Sequence, residues 1–372
     1  MIELNRQEVG YIINKFMNIL DNIKRIERMD QSNMIGSIDS FYKQIEQAWS
    51  ETKKVKLGGS FNKIDKVVIN GMGGSGLGAH IIQSVFFKKL KVPVGNIHSY
   101  QVPGMVDKNT LFILSSYSGN TEEVLFSRKE AKKRGSQILG ISTGGRLGEL
   151  IKNGEVAGYL IDERHNPCGE PRMGISYSVT GLLGLLRQAG VVNVSDNEIK
   201  SVILFLKKVK KKFDIRRLAS ANIAKQIALD LKDKIPVIIT ADFLSGNAHV
   251  MTNQINENAK NFSFYYVVSE LNHHLMEGLK KPGTNSKNLK FVFFDSSLYY
   301  EKNRKRIEIT KDVVRKNKIG YIGVELEGMT QLEQSFEMLL IGSYVSFYLA
   351  ILNGVDPSPI PWVDYFKERL GK

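Results

Sequence analysis

The sequence is poor in cysteine, and this excludes two common kinds of cross-link. Cys168 is the single cysteine among 372 residues, so the chain can form neither an intrachain disulfide nor a zinc site built on several thiolates. The six histidines show no H-x-H or H-E-x-x-H spacing, which is the arrangement that zinc enzymes use. We therefore expect an activity that needs no metal ion and no other cofactor.

A long uninterrupted apolar run is also missing. Residues 338–352 form one of the longest apolar stretches, but Gly342 and Ser343 interrupt it and it falls short of a bilayer span. Residues 1–7 are polar, with no apolar segment and no small-residue cleavage site of a signal peptide. We expect a cytoplasmic protein that makes no contact with a membrane.

Positive charge is in excess, since 52 lysines and arginines face 38 acidic residues. Such an excess is typical of nucleic-acid-binding proteins. However, the basic residues are scattered, and the one dense run, residues 207–212, lies on a helical pattern whose apolar stripe is Val202, Ile203, Leu206, Val209 and Phe213. A solvated helix face explains this run, and we expect no nucleic-acid partner. Charge alone does not separate this interpretation from a preference for small anionic substrates.

The length is about twice that of a usual domain, which favours two domains. Helical periodicity covers residues 8–30 and 38–55. Beyond them, short strand-like runs alternate with helix-like segments such as 81–90 and 121–134, an order that predicts a parallel sheet covered on both faces. The predicted strands of this part are 67–69, 110–115, 137–142 and 157–161.

The same alternation returns in the second half. Strands are predicted at 236–240, 289–294 and 320–324, with helices at 244–260, 299–316 and 329–352. A polar turn at residues 194–197 has the composition of a helix cap. We therefore predict an α/β fold with two tandem domains, residues 1–195 and 196–372. No residue-by-residue repeat between them is evident.

Two loops that follow predicted strands suit an anion. Residues 71–76 read Gly-Met-Gly-Gly-Ser-Gly and lead into a helix, so backbone N–H groups can close on a phosphate. The loop has no P-loop lysine. It resembles a dinucleotide fingerprint superficially, but residues 92–97 offer no acidic residue for a ribose.

The second loop, residues 115–123, reads Ser-Ser-Tyr-Ser-Gly-Asn-Thr-Glu-Glu. Hydroxyl groups and free N–H groups at a helix start suit a phosphate monoester. The alternative is an ordinary capping box on Thr121. The pairing of this loop with the glycine-rich loop one strand earlier favours a phosphate cradle.

These two loops together resemble the sugar-isomerase (SIS) domain. Further segments, in order over residues 65–370, resemble the bifunctional phosphoglucose/phosphomannose isomerase family specifically: Glu170-Pro171-Arg172, Asn256-Glu257-Asn258, Glu270-Leu271-Asn272-His273, Asp356-Pro357 and Lys367. The resemblance implies two SIS-type domains and an isomerase of glucose 6-phosphate, mannose 6-phosphate and fructose 6-phosphate. It also implies that the substrate phosphate is held by Gly74, Ser75, Ser116, Ser118 and Thr121.

The resemblance also assigns the acid–base residues of an aldose–ketose isomerase, which needs a base, a ring-opening group and a positive charge near the enediolate. It implies that Glu257 is the base and that His273 opens the ring in the neighbouring subunit's site, which predicts a homodimer with shared active sites. Without the resemblance, we would interpret Glu257 as a surface glutamate and His273 as an ordinary lone histidine. His274, the next residue, is treated as a bystander.

Two further residues complete the expected site. The resemblance implies that Arg172 stabilises the enediolate and that Lys367, in the C-terminal tail, folds back over the substrate hydroxyls. Otherwise Arg172 reads as solvated or paired with Glu170, and Lys367 as a solvated tail residue. In one position the sequence departs from the family, because Ile360 stands where a threonine linked with mannose 6-phosphate often lies. We therefore expect both epimers to be turned over, with a preference for glucose 6-phosphate over mannose 6-phosphate.

Two other functions remain open from the sequence. A non-catalytic SIS module that senses sugar phosphates would keep the cradle and need neither Glu257 nor His273. The isomerase half of an amidotransferase that forms glucosamine 6-phosphate would need an amidotransferase partner and an imine-forming lysine in the site.

Overall fold

The computed structural model describes residues 19–59 and 61–371. The N-terminal part of the helix expected over residues 8–30 therefore lies outside the described residues. Three helices open the described chain: α1 (Ile23–Met29), α2 (Met34–Asp39) and α3 (Phe41–Thr52). The last of these buries Ile45, Ala48 and Trp49, which confirms the second predicted helix.

A five-stranded, all-parallel sheet follows, in the order β2-β1-β3-β4-β5. Its strands are β1 (Lys66–Gly71), β2 (Val94–Ile97), β3 (Thr110–Ser115), β4 (Gln137–Ser142) and β5 (Ala157–Leu160). Between and after them lie α4 (Gly74–Val85), α5 (Glu122–Lys133), α6 (Gly145–Lys152) and α7 (Ile175–Gln188).

Both faces of this sheet are buried, because successive side chains of a strand point to opposite faces. Ile69 and Ile113 pack with α3, α4 and α7 in a large core. Phe112 and Leu114 pack on the other face with residues of α5 and α6 in a smaller core. The prediction of a parallel sheet covered on both faces is confirmed.

The second half repeats the design with four parallel strands in the order β7-β6-β8-β9. The strands are β6 (Ile235–Ala241), β7 (Phe264–Val268), β8 (Leu289–Asp295) and β9 (Gly320–Glu325). The helices are α8 (Asp196–Val209), α9 (Ile223–Leu231), α10 (Ser245–Ala259), α11 (Leu275–Gly278), α12 (Asn285–Asn288), α13 (Glu301–Lys316), α14 (Gln331–Asn353) and α15 (Pro361–Arg369).

Differences from the sequence prediction fall on edge strands and on one helix. β2 and β7 were not predicted; both are edge strands whose residues are mostly half-buried, although β7 is a continuous run of Phe, Tyr and Val. The helix expected at residues 81–90 runs instead from Gly74 to Val85. It begins inside the glycine-rich loop because its small residues allow close packing, as at Gly78 against Leu182 of α7.

The two sheets lie on either side of residue 195, and Ser195 caps α8 as expected. Its hydroxyl accepts from the Glu198 N–H at 3.2 Å, while the Glu198 carboxylate accepts from the Ser195 N–H at 2.8 Å. The large core is nevertheless continuous across both halves, since α10 packs on α4 as well as on α14. The division of the chain into two domains at this residue stays a prediction.

The longest of the described helices, α14, lies in the centre of this core. It is long and apolar enough to cross a membrane, but its most apolar window is completely buried inside the protein. Burial on all sides is typical of the core helix of a large domain.

Candidate active site

The glycine-rich loop lies between β1 and α4, and Ser75 in the first turn of α4 joins it to the neighbouring loop. Gly73 adopts a left-handed conformation with φ of 48°, which lets the chain turn sharply into the helix. The Ser75 hydroxyl accepts from the Tyr117 N–H at 2.8 Å, and the Ser75 carbonyl accepts from Ser115 Oγ at 2.7 Å. Ser75 therefore fixes the spacing of the two loops.

The hydroxyl-rich loop lies between β3 and α5 and is held in one conformation. Ser116 Oγ and Thr121 Oγ1 are 2.7 Å apart, and Ser116 Oγ accepts from the Thr121 N–H at 3.3 Å. Gly119 has φ of 73°, and a Cβ there would lie 1.7 Å from the Gly144 carbonyl oxygen. The Thr121 hydroxyl does not cap α5, so the capping-box interpretation is wrong.

β1 and β3 are neighbours at the centre of the sheet, with Gly71 beside Ser115. β1 also pairs with β2 on its other side, which makes this edge the topological switch point where open parallel sheets bind ligands. The structure thus brings the expected phosphate-binding residues together at one edge: Gly74, Ser75, Ser116, Ser118 and Thr121. Among them Ser116 is buried and Ser118 is exposed.

The phosphate loops adjoin the segment that carries Arg172. A Cβ at Gly74 would lie 3.1 Å from the Arg172 backbone nitrogen, so a larger residue there would displace this segment. On the other side, Asn166 Nδ2 donates to both the Tyr117 hydroxyl, at 2.8 Å, and the Glu170 carbonyl, at 3.0 Å. Side-chain and backbone contacts therefore connect the cradle with the residues beyond it.

Arg172 is a buried cation, only 1 % exposed, which excludes the solvated alternative. Its guanidinium donates to Glu170 Oε2 at 2.5 Å, lies 3.5 Å from Glu257 Oε2, and donates to Asn258 Oδ1 at 2.6 Å. It also donates to the carbonyls of Pro357 and Ser358 at 3.1 and 2.6 Å. A buried charge needs such partners because burial without them costs several kcal/mol, on the order of 3–5 when one partner is removed.

Glu257 comes from the other half of the chain, in the last turn of α10. Burial raises the pKa of its carboxyl group, and the charge of Arg172 opposes that shift. The flanking amides hold the turn: Asn256 exchanges two hydrogen bonds with the backbone of Ser263, and Asn258 Nδ2 donates to Ser346 Oγ. A partly desolvated carboxylate beside a fixed guanidinium is suited to proton transfer near neutral pH.

Lys260 is a site residue that sequence reasoning missed. It follows α10 in a left-handed conformation, with φ of 49°, and its ammonium group donates to the carbonyls of Asn258, Asp356 and Pro357 at 3.2, 2.7 and 3.1 Å. Burial, together with Arg172, lowers its pKa to about 8. Lys260 and Arg172 thus share the Pro357 carbonyl and hold the C-terminal turn against Glu257. Its proximity to Glu257 in the sequence was the only available signal.

The C-terminal helix α15 lies beside this cluster but is hardly packed. Every described residue from 361 to 371 is exposed, and Ile360 is the half-buried residue that precedes the helix. Lys367 is close enough for its positive charge to lower the pKa of the Glu257 carboxyl group. The structure therefore places the Lys367 charge within electrostatic range of Glu257.

His273 is not brought to this cluster within the described chain. Asn256 and Ser263 pair, so Glu257 lies next to the start of β7, whereas His273 follows the end of β7 in a short 3₁₀ helix and is exposed. Five residues of strand separate these two ends by about 16 Å at 3.3 Å per residue. Glu257 and His273 of one chain therefore face opposite edges of the second sheet.

Two parallel sheets with a phosphate-type loop at the switch point define a chain of the SIS class. A family model described as the bacterial phospho-glucose isomerase C-terminal SIS domain matches residues 220–370. A bifunctional phosphoglucose/phosphomannose isomerase from Caldicellulosiruptor bescii is 33 % identical over 91 % of this chain and 99 % of its own length. The chain belongs to the bifunctional phosphoglucose/phosphomannose isomerase family.

More distant comparisons agree with this assignment. The relative of the same description from Aquifex aeolicus is 28 % identical over 90 % of this chain and 97 % of its own length. Among solved structures, a glucose-6-phosphate isomerase from Chlamydia trachomatis superposes with a TM-score of 0.70 at 11 % identity, over 100 % of this chain and 86 % of its own. At such low identity the structural likeness shows the fold alone.

Proposed function

We propose that the protein interconverts fructose 6-phosphate with glucose 6-phosphate, and with mannose 6-phosphate, through a cis-enediolate. Family membership supports the reaction class. The observation that carries the proposal is the buried Arg172 that contacts Glu257 from one side and adjoins the phosphate loop at Gly74 from the other. A base and a fixed cation thus lie next to an anion cradle.

In this proposal the cradle binds the substrate at its phosphate end. The hydroxyls of Ser116, Ser118 and Thr121 and the N–H groups at the starts of α4 and α5 would hold the phosphate oxygens. Gly74 would supply a backbone donor without blocking the approach. The Ser75 N–H donates to the Met72 carbonyl at 3.0 Å, so Ser75 would act by holding the two loops together. Because the phosphate is remote from the reacting carbons, the cradle contributes binding and orientation rather than chemistry.

The proton transfer falls to Glu257. Its carboxylate removes a proton from C1 of the open-chain ketose and returns it to C2 of the enediolate, which gives the aldose. The negative charge that develops on the substrate oxygen is stabilised by Arg172, whose side chain is held by Glu170, Asn258 and two carbonyls and needs no reorganisation. Lys367 would contact the substrate hydroxyls.

Ring opening requires a second acid–base group, and we propose that His273 of a second copy provides it. The position of His273 at the far edge of the second sheet supports a homodimer with shared sites. Mixing inactive Glu257→Gln protomers with inactive His273→Ala protomers is expected to restore activity through hybrid sites. Subunit exchange without rescue would show that the two residues act within one chain.

We further propose that residues 1–195 and 196–372 are the two domains, and that the enzyme acts in the cytoplasm in glycolysis and gluconeogenesis. The first domain would supply the cradle and Arg172, and the second would supply Glu257 and the tail. The direct test of the activity is turnover of fructose 6-phosphate in the presence of EDTA, followed by analysis of the sugars. Loss of turnover in EDTA that zinc restores would contradict the metal-independent mechanism.

The two alternative functions are less well supported. A sensing module has no need for a half-buried carboxylate against a buried guanidinium, which is costly to maintain. An amidotransferase isomerase needs an imine-forming lysine, and Lys260 is held by three backbone carbonyls. Accumulation of a fructose 6-phosphate imine on Lys260, trapped by borohydride and located by mass spectrometry, would revive that alternative.

A further inference from the structure

The strand registers of the two sheets show that the second half has a counterpart of the phosphate cradle. Pairing of β1 with β3 begins at Lys66 and Thr110, and pairing of β6 with β8 begins at Ile235 and Leu289. Lys66 of β1 is thus equivalent to Ile235 of β6, and seven residues further along each chain segment Gly73 is equivalent to Asp242. Thr110 of β3 is equivalent to Leu289 of β8 in the same way, and eleven residues further Thr121 is equivalent to Tyr300.

The backbone supports this correspondence. Gly73 and Asp242 both have a positive φ, of 48° and 46°. Thr121 and Tyr300 both stand directly before the first residue of a helix, α5 and α13 respectively. The carboxyl edge of the second sheet is therefore built like the cradle, at the equivalent switch point between β6 and β8.

A cavity of about 890 Å³ lies at this edge. The second half lines it with Asp242, Tyr265 and Tyr300, and the first half closes it with His80 and Phe87 from α4 and the residues after it. Its volume is within the range of small-molecule sites, and such sites often lie between domains. Neither Arg172 nor Glu257 lines it, so it is separate from the candidate active site.

The chemistry of this second edge differs from that of the cradle. Ser75 is replaced by the buried Leu244, and Ser116 by Asp295, so two hydroxyls are lost and a carboxylate is gained. The Asp242 carboxylate accepts from the Tyr300 N–H at 2.8 Å and from Asn303 Nδ2 at 2.6 Å. It therefore takes the place that an anion would take at the start of α13, and it would repel a second anion.

Aromatic rings and uncharged imidazoles line a large part of the remaining surface, together with Lys88, Glu301 and the amides of Gln83 and Gln331. His249 stacks on Tyr265 with ring centroids 5.2 Å apart and contacts His80 edge-on at 4.8 Å. Burial lowers the pKa of both histidines, that of His80 to about 4, so both are neutral at pH 7. Phe87 and Tyr300, which also line the cavity, are 79 % and 63 % exposed.

One polar atom in this lining is left without a partner. Among the described residues, no group hydrogen-bonds the buried Nδ1 of His249. A buried polar atom without a partner costs about 1–3 kcal/mol, so a ligand that bonds it gains that energy. Ring nitrogens and exocyclic amino groups of a heterocycle are such partners, and its flat faces match aromatic side chains.

We propose that this cavity binds a flat, uncharged nitrogen heterocycle of the nucleobase class, without a phosphate group. The cavity would stack the heterocycle on the aromatic rings, bond it through His249, and reject the corresponding nucleotide because of Asp242. This inference is independent of the isomerase reaction.

The test uses the full-length protein and the four ribonucleosides as probes, with binding measured by calorimetry and by saturation-transfer NMR. At least one nucleoside is expected to bind, to bind more tightly than its 5′-monophosphate, and to remain bound when fructose 6-phosphate saturates the active site. Phe87→Ser is expected to weaken binding about tenfold, which is the size of one stacking contact. The exposed Phe126→Ser on α5 is the matched control and is expected to change nothing.

His249→Phe preserves the ring and removes Nδ1, so it is expected to weaken binding by a similar factor with an unchanged unfolding temperature. If His249→Phe does not fold, the comparison of Phe87→Ser with Phe126→Ser still tests the proposal, because both side chains are exposed and neither substitution should unfold the protein. The proposal is overturned if no nucleoside binds, if fructose 6-phosphate displaces it, or if Phe87→Ser binds as the wild type does.

Discussion

The phosphate cradle and the Arg172–Glu257 cluster lie side by side, yet the chain builds them in different ways. The cradle comes from two loops of one sheet, and each loop is a continuous segment of no more than nine residues. The cluster gathers Arg172, Glu257, Lys260 and the Pro357–Ser358 carbonyls from three distant segments. Local sequence determines the first, and tertiary packing determines the second.

The difference has consequences for substitution. A change in the exposed part of the cradle removes a ligand contact and leaves the fold intact. A change in the cluster removes a hydrogen-bond partner from several buried groups at once, so it lowers both the free energy of unfolding and the catalytic activity. The comparison can therefore be tested by variants that separate these two losses.

The largest effect is expected for Arg172→Met. It leaves Glu170, Asn258 and the Ser358 carbonyl without the guanidinium donor. We therefore expect the free energy of unfolding to fall by about 3–5 kcal/mol and the activity to be lost. Chemical denaturation and fructose 6-phosphate turnover measure the two effects. Arg216→Met, an exposed arginine with one acidic partner, is the control. An unchanged denaturation midpoint in Arg172→Met would show that the cluster is not a structural unit.

Ser118→Ala tests the cradle, where we expect a loss of substrate binding without a loss of stability. Ser118 is exposed, so the unfolding temperature is expected to stay the same while KM for fructose 6-phosphate rises about tenfold, as for a hydrogen bond to a charged group. The exposed Ser220→Ala serves as the control. If kcat falls and KM does not change, Ser118 does not act through ground-state phosphate binding.

Lys260→Met sharpens the comparison at the C-terminal turn. Loss of three hydrogen bonds to backbone carbonyls is expected to loosen the turn that leads to Lys367 and to raise KM about fivefold. Because the pKa of Lys260 is about 8, the wild type carries the ammonium below that pH and a neutral amine, with one donor fewer, above it. The KM of the wild type is therefore expected to rise above pH 8, and that of Lys260→Met is not.

A retained rise in KM above pH 8 in Lys260→Met would assign the pH dependence to another group. Lys260→Arg, which keeps a cation and several donors, is expected to restore most of the affinity at pH 7 and to lose the pH dependence. If Lys260 acted only through packing, the pH dependence of KM would be the same in the wild type and in Lys260→Arg.

The last substitution concerns Ile360, beside the tail, and is expected to change the product ratio rather than the stability. Replacement by threonine supplies a hydroxyl near the C1–C2 end of the substrate, and one hydrogen bond of about 0.5–1.5 kcal/mol shifts a product ratio by roughly threefold to tenfold. We expect Ile360→Thr to raise mannose 6-phosphate turnover relative to glucose 6-phosphate turnover. Ile360→Val is the control without a hydroxyl. An equal change in both variants would show that side-chain volume, rather than the hydroxyl, sets the ratio.

The same contrast explains what the sequence could predict. The central strands, α5, α14 and the cap at Ser195 followed from local pattern, and so did the gathering of Ser75 and Ser116 at one edge. The edge strands β5 and β9 were predicted too, but β2 and β7 were not, because half-buried residues carry a weak period-two signal. Lys260 was missed because its value depends on carbonyls almost a hundred residues away. Glu257 and Arg172 were found through the family resemblance and not through their spacing.

The proposed mechanism requires that the cradle binds the substrate phosphate and that the Glu257 carboxylate transfers the proton between C1 and C2. The most direct measurement incubates the wild type and Glu257→Gln with fructose 6-phosphate in deuterium oxide, with calorimetric binding measured for the variant. The wild type is expected to yield both aldoses with deuterium at C2, glucose 6-phosphate in excess. Glu257→Gln is expected to bind the sugar phosphate normally while its rate falls about 10²–10⁴-fold. A variant that keeps more than about a tenth of the wild-type rate would contradict the account.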